Sequence, residues 1–178
     1  MAETGTIHTI SKKSMTDEGQ PQTLEPVRKS LHVRASAERA FRVFTAEMDS
    51  WWPKTHHIGS SPMKGIVMEG RRGGAIYTEQ EDGTPCPWGT VLAWEPPYRF
   101  VMAWQVSPEW QYEPDLEKCS EVEVRFTPAD DGTTLVELEH RDLQRHGGAC
   151  ATMREKVNAE GGWGGLLAAF GTKAEQSA

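Results

Sequence analysis

The run from Trp88 to Trp104 is two aromatic-rich segments meeting at Pro96-Pro97. Rings and β-branched residues favour strands and prolines break them, so the run predicts two neighbouring strands of one sheet. Period-2 alternation puts Tyr98, Phe100, Met102 and Trp104 on one face of the second strand, with Val101 and Ala103 on the other. The same rule separates Trp88, Thr90, Leu92 and Trp94 from Gly89, Val91 and Ala93. Such ring surface must fill a solid core, line a cavity, or form an exposed patch that pairs with another subunit. The facing stays open at this point.

A chain of 178 residues is long enough to bury one core, so a single domain is expected. Its formal charge of −7 argues against a phosphate-binding surface as the main business, and no nucleic-acid partner is expected. Neither a signal-peptide pattern nor an apolar run of roughly 18 residues occurs, so no integral membrane segment is expected and the location expected is cytoplasmic. Cys86, Cys119 and Cys150 are widely spaced and odd in number, which fits reduced thiols.

Met1 to about Leu24 has few large apolar residues and reads as a flexible leader before a domain at 25–172, with a short tail at 173–178. Val27, Lys29, Leu31 and Val33 alternate as in an edge strand. Ser36 stands as an N-cap with Glu38 in the first turn, and Ala37, Ala40, Phe41, Phe44 and Met48 recur at helical spacing. Six short strands follow, at 66–69, 75–79, 88–95, 98–106, 121–127 and 133–140. Turns at 81–84 and 129–132 join them into an antiparallel meander. Met153, Val157, Leu166, Leu167 and Phe170 predict one closing helix over 153–170. The order is α+β, and the last helix has to cover the apolar face of the sheet.

These pieces, in this order, resemble the helix-grip superfamily called SRPBCC or START-like, and within it the family of the activator of heat-shock protein 90 ATPase. The resemblance rests on Ala40 to Thr45 followed by Trp51-Trp52-Pro53, on Gly73-Gly74, and on Trp88 to Val91 running into Pro96-Pro97. It continues through Trp104, Glu121 to Phe126, Leu138-Glu139-His140, and Gly162-Trp163 opening onto Leu166-Leu167. It implies a curved antiparallel sheet gripping a long C-terminal helix, with a cavity between them that takes small hydrophobic, lipid-like or amphipathic molecules. It also implies two alternatives: a cyclase- or hydrolase-type enzyme using a cavity histidine, and a protein-binding module engaging a chaperone. A homodimer fits any of them. Binding without turnover is the reading preferred.

Trp52, Trp88, Trp104 and Trp163 are the candidate cavity walls. His56, beside His57 in the loop after Trp51-Trp52-Pro53, which should lie near one mouth of the cavity, is a ligand-binding candidate that belongs either to a solvated pair or to one that shuttles protons; no metal site is expected, for no further ligand is indicated. His140 shares a strand face with Val136 and Leu138, so it is either a hydrogen-bonded core residue or a group that orients a ligand or acts as acid and base. Glu69 is either the wet half of an alternating strand or a carboxylate raised in pKa within the cavity. Gly161 to Gly165 lacks the Lys and Ser or Thr of a phosphate loop, so its glycines are read as permitting close approach around Trp163. No cofactor is expected.

Overall fold

The computed structural model describes residues 23–176, so the expected leader lies outside the described residues except for Thr23 and Leu24. Leu24 packs against the core. Strand β1 (Val27–Val33) precedes helix α1 (Ala37–Thr45). Then come β2 (Met63–Met68), β3 (Ala75–Gln80), β4 (Pro85–Glu95), β5 (Arg99–Trp104), β6 (Ser120–Pro128) and β7 (Thr134–Arg141). Helices α2 (Cys150–Asn158) and α3 (Gly165–Glu175) end the chain. The strands form one seven-stranded antiparallel sheet in the order β1-β7-β6-β5-β4-β3-β2, so β1 is an edge strand as its alternation predicted. The result is an α+β helix-grip fold: a curled sheet closed by C-terminal helices.

Local chemistry explains the elements. Ser36 Oγ accepts the Arg39 amide at 3.2 Å, capping α1. The helix ends earlier than the apolar spacing predicts, because Thr45 Oγ1 bonds back to the Phe41 carbonyl at 2.7 Å and a 3-10 turn at Met48–Ser50 follows. Met48 stays buried in that turn.

The closing helix is two helices. After Asn158 the backbone turns extended at Ala159 (ψ 166°), passes through one π turn at Glu160–Gly164, and restarts as α3. A Cβ at Gly162 would overlap the carbonyl oxygens of Val157 and Lys156, the latter at 2.6 Å, so only glycine fits the break. All five apolar residues assigned to the single helix are nevertheless buried. The last turn of α3, expected as tail, is docked: Arg39 Nε donates to the Ala174 carbonyl at 2.8 Å, and Arg34 pairs with Glu175 at 3.4 Å.

Strict alternation fails in β4, where two bulges each add a residue. Trp88 is extra between the Ile76–Gly89 and Tyr77–Pro87 pairs, and Leu92 between the Val91–Met102 and Ala93–Val101 pairs. Directly opposed residues share a face, so Gly89, Val91 and Trp94 point inward with Trp104, Met102 and Phe100. Thr90 and Leu92, expected beside the rings, lie outside; Leu92 lines an outer hollow with Ala103, Leu116 and Cys119. Trp88 is drawn in by its bulge and is buried. Tyr98 is a second correction: it belongs to the β4–β5 turn rather than to β5, and is 55% exposed. Bulges also bend a sheet, which supplies the curl that leaves room beneath the helices.

The interior has two ends of different character. At one, Phe41, Phe44, Phe100, Phe126 and Phe170 fill the space, with the Phe44 ring 4.9 Å from Phe170 and 5.5 Å from Phe100. At the other, tryptophans surround a hollow. Among the described residues no helix is long and apolar enough to cross a membrane.

Candidate functional site

Four indoles from four separate elements make a closed circuit. Ring centroids lie 5.4 Å apart for Trp52–Trp88, 5.9 Å for Trp88–Trp104, 5.7 Å for Trp104–Trp163 and 6.1 Å for Trp163–Trp52. Three of these contacts are steeply inclined, the arrangement that the ring quadrupole favours. They wall a cavity of about 390 Å³. In the rest of the lining, apolar Ile58, Val106, Trp110, Val157 and Leu166 stand with polar Thr55, His56, His57, Thr78 and Lys156.

The wall is held from behind. Trp52 Nε1 donates to the His56 carbonyl at 2.8 Å, which folds the 53–56 loop against the ring. His56 Nε2 lies 2.9 Å from the Gly161 carbonyl, and a carbonyl only accepts, so this nitrogen carries the proton. His56 therefore straps the loop to the helix break. His57 Nδ1 and Trp104 Nε1 are buried with no hydrogen-bond partner among the described residues.

His140 does not line the cavity. It is fully buried behind Trp104 and Trp163, and both ring nitrogens are occupied. Trp163 Nε1 donates to its Nδ1 at 3.0 Å; an indole N–H cannot accept, so the neutral imidazole carries its proton on Nε2. That nitrogen is 2.7 Å from Ser120 Oγ, whose hydroxyl is 2.7 Å from His146 Nε2. The chain of donors thus runs from Trp163 through His140 and Ser120 to His146, fixing the orientation of one cavity wall. Glu69 is also away from the cavity. It sits at the β2–β3 turn, where it accepts the Ala75 amide at 2.9 Å and pairs with Arg71 at 3.1 Å. These turn contacts hold its carboxylate outside the cavity lining.

Burial, and then the neighbouring His146, pushes the His140 pKa down to about 3. Burial likewise holds His146 below the usual range, against the opposing pull of Glu113 and Glu109. Because an unfolded histidine titrates near 6.5, the unfolded chain binds a proton that folded His140 refuses between about pH 6.5 and 3. Stability therefore falls as pH drops through this window. From pH 7.5 to 5.0 the His140 share is expected to be about 2 kcal/mol. Urea midpoints at both pH values should show that loss shrinking by this amount in His140→Gln, which keeps an acceptor for Trp163; an unchanged pH dependence would contradict the assignment.

Of the seven ligand-binding candidates, Trp52, His56, Trp88, Trp104 and Trp163 line one cavity, and Glu69 and His140 do not. The sequence reading missed Lys156 and Trp110. Lys156 stands beside Val157, an apolar position of the closing helix, and that adjacency was the signal available.

Three comparisons bear on this geometry. The sequence model described as activator of Hsp90 ATPase homolog 1-like protein matches residues 34–172. Among solved structures, the chain is 38% identical to an anthrahydroquino-gamma-pyrone synthase, Txn09, complexed with SUM, covering 84% of this chain and 97% of that one with a TM-score of 0.60. It is 25% identical to CalC, a self-sacrificing resistance protein from Micromonospora echinospora, covering 84% and 93% with a TM-score of 0.62. A protein from Nitrosomonas europaea, NE0264, shares the fold at 16% identity, with 85% and 94% covered and a TM-score of 0.58. No curated protein matches the chain. With a match that spans most of the sequence, on a curled sheet closed by C-terminal helices, the chain belongs to the family of activator of Hsp90 ATPase homolog 1-like proteins, in the helix-grip superfamily.

Proposed function

We propose that this chain binds a flat, fused-ring aromatic molecule in the tryptophan-walled cavity. The observation that carries the reading is the patch of four contacting indoles that lines a cavity of about 390 Å³, a volume within the range of small-molecule sites. Inclined indoles offer faces and edges on which a planar guest stacks, and each such contact adds about 0.5–1.5 kcal/mol beyond the area buried. A relative that is 38% identical is named as a synthase of an anthrahydroquino-gamma-pyrone, itself a fused-ring aromatic, which supports the same ligand class. Calorimetric titration with 1,8-dihydroxyanthraquinone is expected to give saturable 1:1 binding. Trp104→Phe, which keeps a ring but shrinks the wall, is expected to weaken it by roughly fivefold. Failure of a panel of fused-ring aromatics to saturate would defeat the proposal.

Ring-forming chemistry on such a guest is the second reading, favoured by the identity to a synthase. The titratable groups on the cavity wall are His56, His57 and Lys156, so acid-base work would fall to them rather than to His140. His57 is the strongest of the histidines, since its Nδ1 has no partner among the described residues whereas His56 is engaged in the strap. On this reading His57→Gln abolishes turnover while leaving binding intact.

A further inference from the structure

The ionisable lining of the cavity is one-sided. Among the described residues it holds Lys156 and two histidines and no carboxylate, in a chain whose formal charge is −7. Lys156 leaves the last turn of α2 at the mouth. Glu160 follows it by four residues, the spacing at which a lysine and a glutamate meet on a helix surface. They do not meet, because α2 ends between them and the backbone turns extended at Ala159. Among the described residues Lys156 has no ion pair; its ammonium lies over the Trp110 ring, 5.2 Å from the centroid.

Trp110 is itself held in an unusual way. It sits in the loop after β5 with φ +60°, a left-handed conformation that its Cβ disfavours, and its amide donates to the Ser107 carbonyl at 2.9 Å. Its ring, 43% exposed, forms part of the cavity lining. An indole face attracts a cation without neutralising it. The mouth therefore carries a steadied positive charge with no ion-pair partner among the described residues, above a pocket lined by aromatic rings.

We infer that the cavity selects an anionic guest: a fused-ring aromatic bearing one ionised oxygen group, a phenolate, enolate or carboxylate, that pairs with Lys156 at the mouth while the rings enter among the tryptophans. The arrangement suits the physics of both parts. Rings leave water for a largely apolar lining, while the charge stays at a wet rim and avoids the desolvation that burial would impose. Selectivity gained this way is modest and sensitive to salt.

This inference rests on the cavity being the binding site, and the test separates the two. Anthraquinone-2-carboxylate and its neutral amide share their rings and differ in charge. Wild-type protein at neutral pH is expected to bind the carboxylate roughly five- to tenfold more tightly than the amide. Lys156 is exposed, so its substitution leaves the core untouched. In Lys156→Met the ratio of the two affinities should fall to near unity, and in Lys156→Arg it should persist. High salt, about 1 M, should reduce it in the wild type. Equal affinities for the two probes, or a preference that survives in Lys156→Met, would overturn the inference and leave the aromatic cavity standing. Binding of neither probe by the wild type would overturn both.

Discussion

Phe44→Ala is expected to cost about 3–5 kcal/mol of folding stability, read as a lower urea midpoint at unchanged slope. The side chain is 1% exposed and its ring contacts Trp51, Phe100, Phe126 and Phe170 at centroid distances of 5.0, 5.5, 5.9 and 4.9 Å. Neighbours from the 3-10 turn after α1, from β5, from β6 and from α3 cannot all collapse into the space it leaves, so the loss includes a cavity as well as transfer. Phe44 does not line the tryptophan-walled hollow, and the folded fraction should keep its ligand affinity within about twofold. A cost below about 1 kcal/mol would mean that this end of the interior is not packed as described.

The second large effect is expected at the helix break. Gly162→Ala should destabilise the protein by about 2–4 kcal/mol and weaken aromatic binding about tenfold, since the new Cβ would run into the backbone carbonyls of Val157 and Lys156. Relief requires the break to open, and the break carries Trp163 on one side and the Gly161 carbonyl that anchors His56 on the other. Gly161→Ala is the internal control. Its Cβ would meet nothing within 4 Å, so its effect should stay within about 0.5 kcal/mol. Denaturation and ligand titration of the two variants side by side would check the claim; similar outcomes for both would contradict it.

The sequence carried the order of elements well and their local irregularities poorly, for a physical reason. Alternation in β1 and β7, the Ser36 cap and the turns that punctuate the meander are all local, so composition and spacing reveal them. The bulges at Trp88 and Leu92 are set by pairing with other strands, and no residue type announces them. The glycines at 161–165 were visible, but apolar spacing continues across them, so Met153 to Phe170 read as one helix although the backbone breaks at Gly162. The alternatives of solid core and hollow were both legible, and the molecule uses each at a different end. Five residues of the cavity were identifiable because rings and a turn histidine stand out in a polar chain. Trp110 and Lys156 were not, since a loop and a helix end meet only in the folded protein. His140 was placed on the correct strand face, yet facing inward did not put it in the cavity, because Trp163 lies between.

The central claim is that a planar guest enters among particular tryptophans. The chain has seven, each giving one indole N–H signal in a proton–nitrogen correlation spectrum. Addition of saturating 1,8-dihydroxyanthraquinone is expected to shift the signals of Trp52, Trp88, Trp104, Trp163 and Trp110, which line the cavity, while Trp51 and Trp94, which pack into the phenylalanine end, stay in place. Shifts confined to Trp110, or no shift in the four wall signals, would contradict the account.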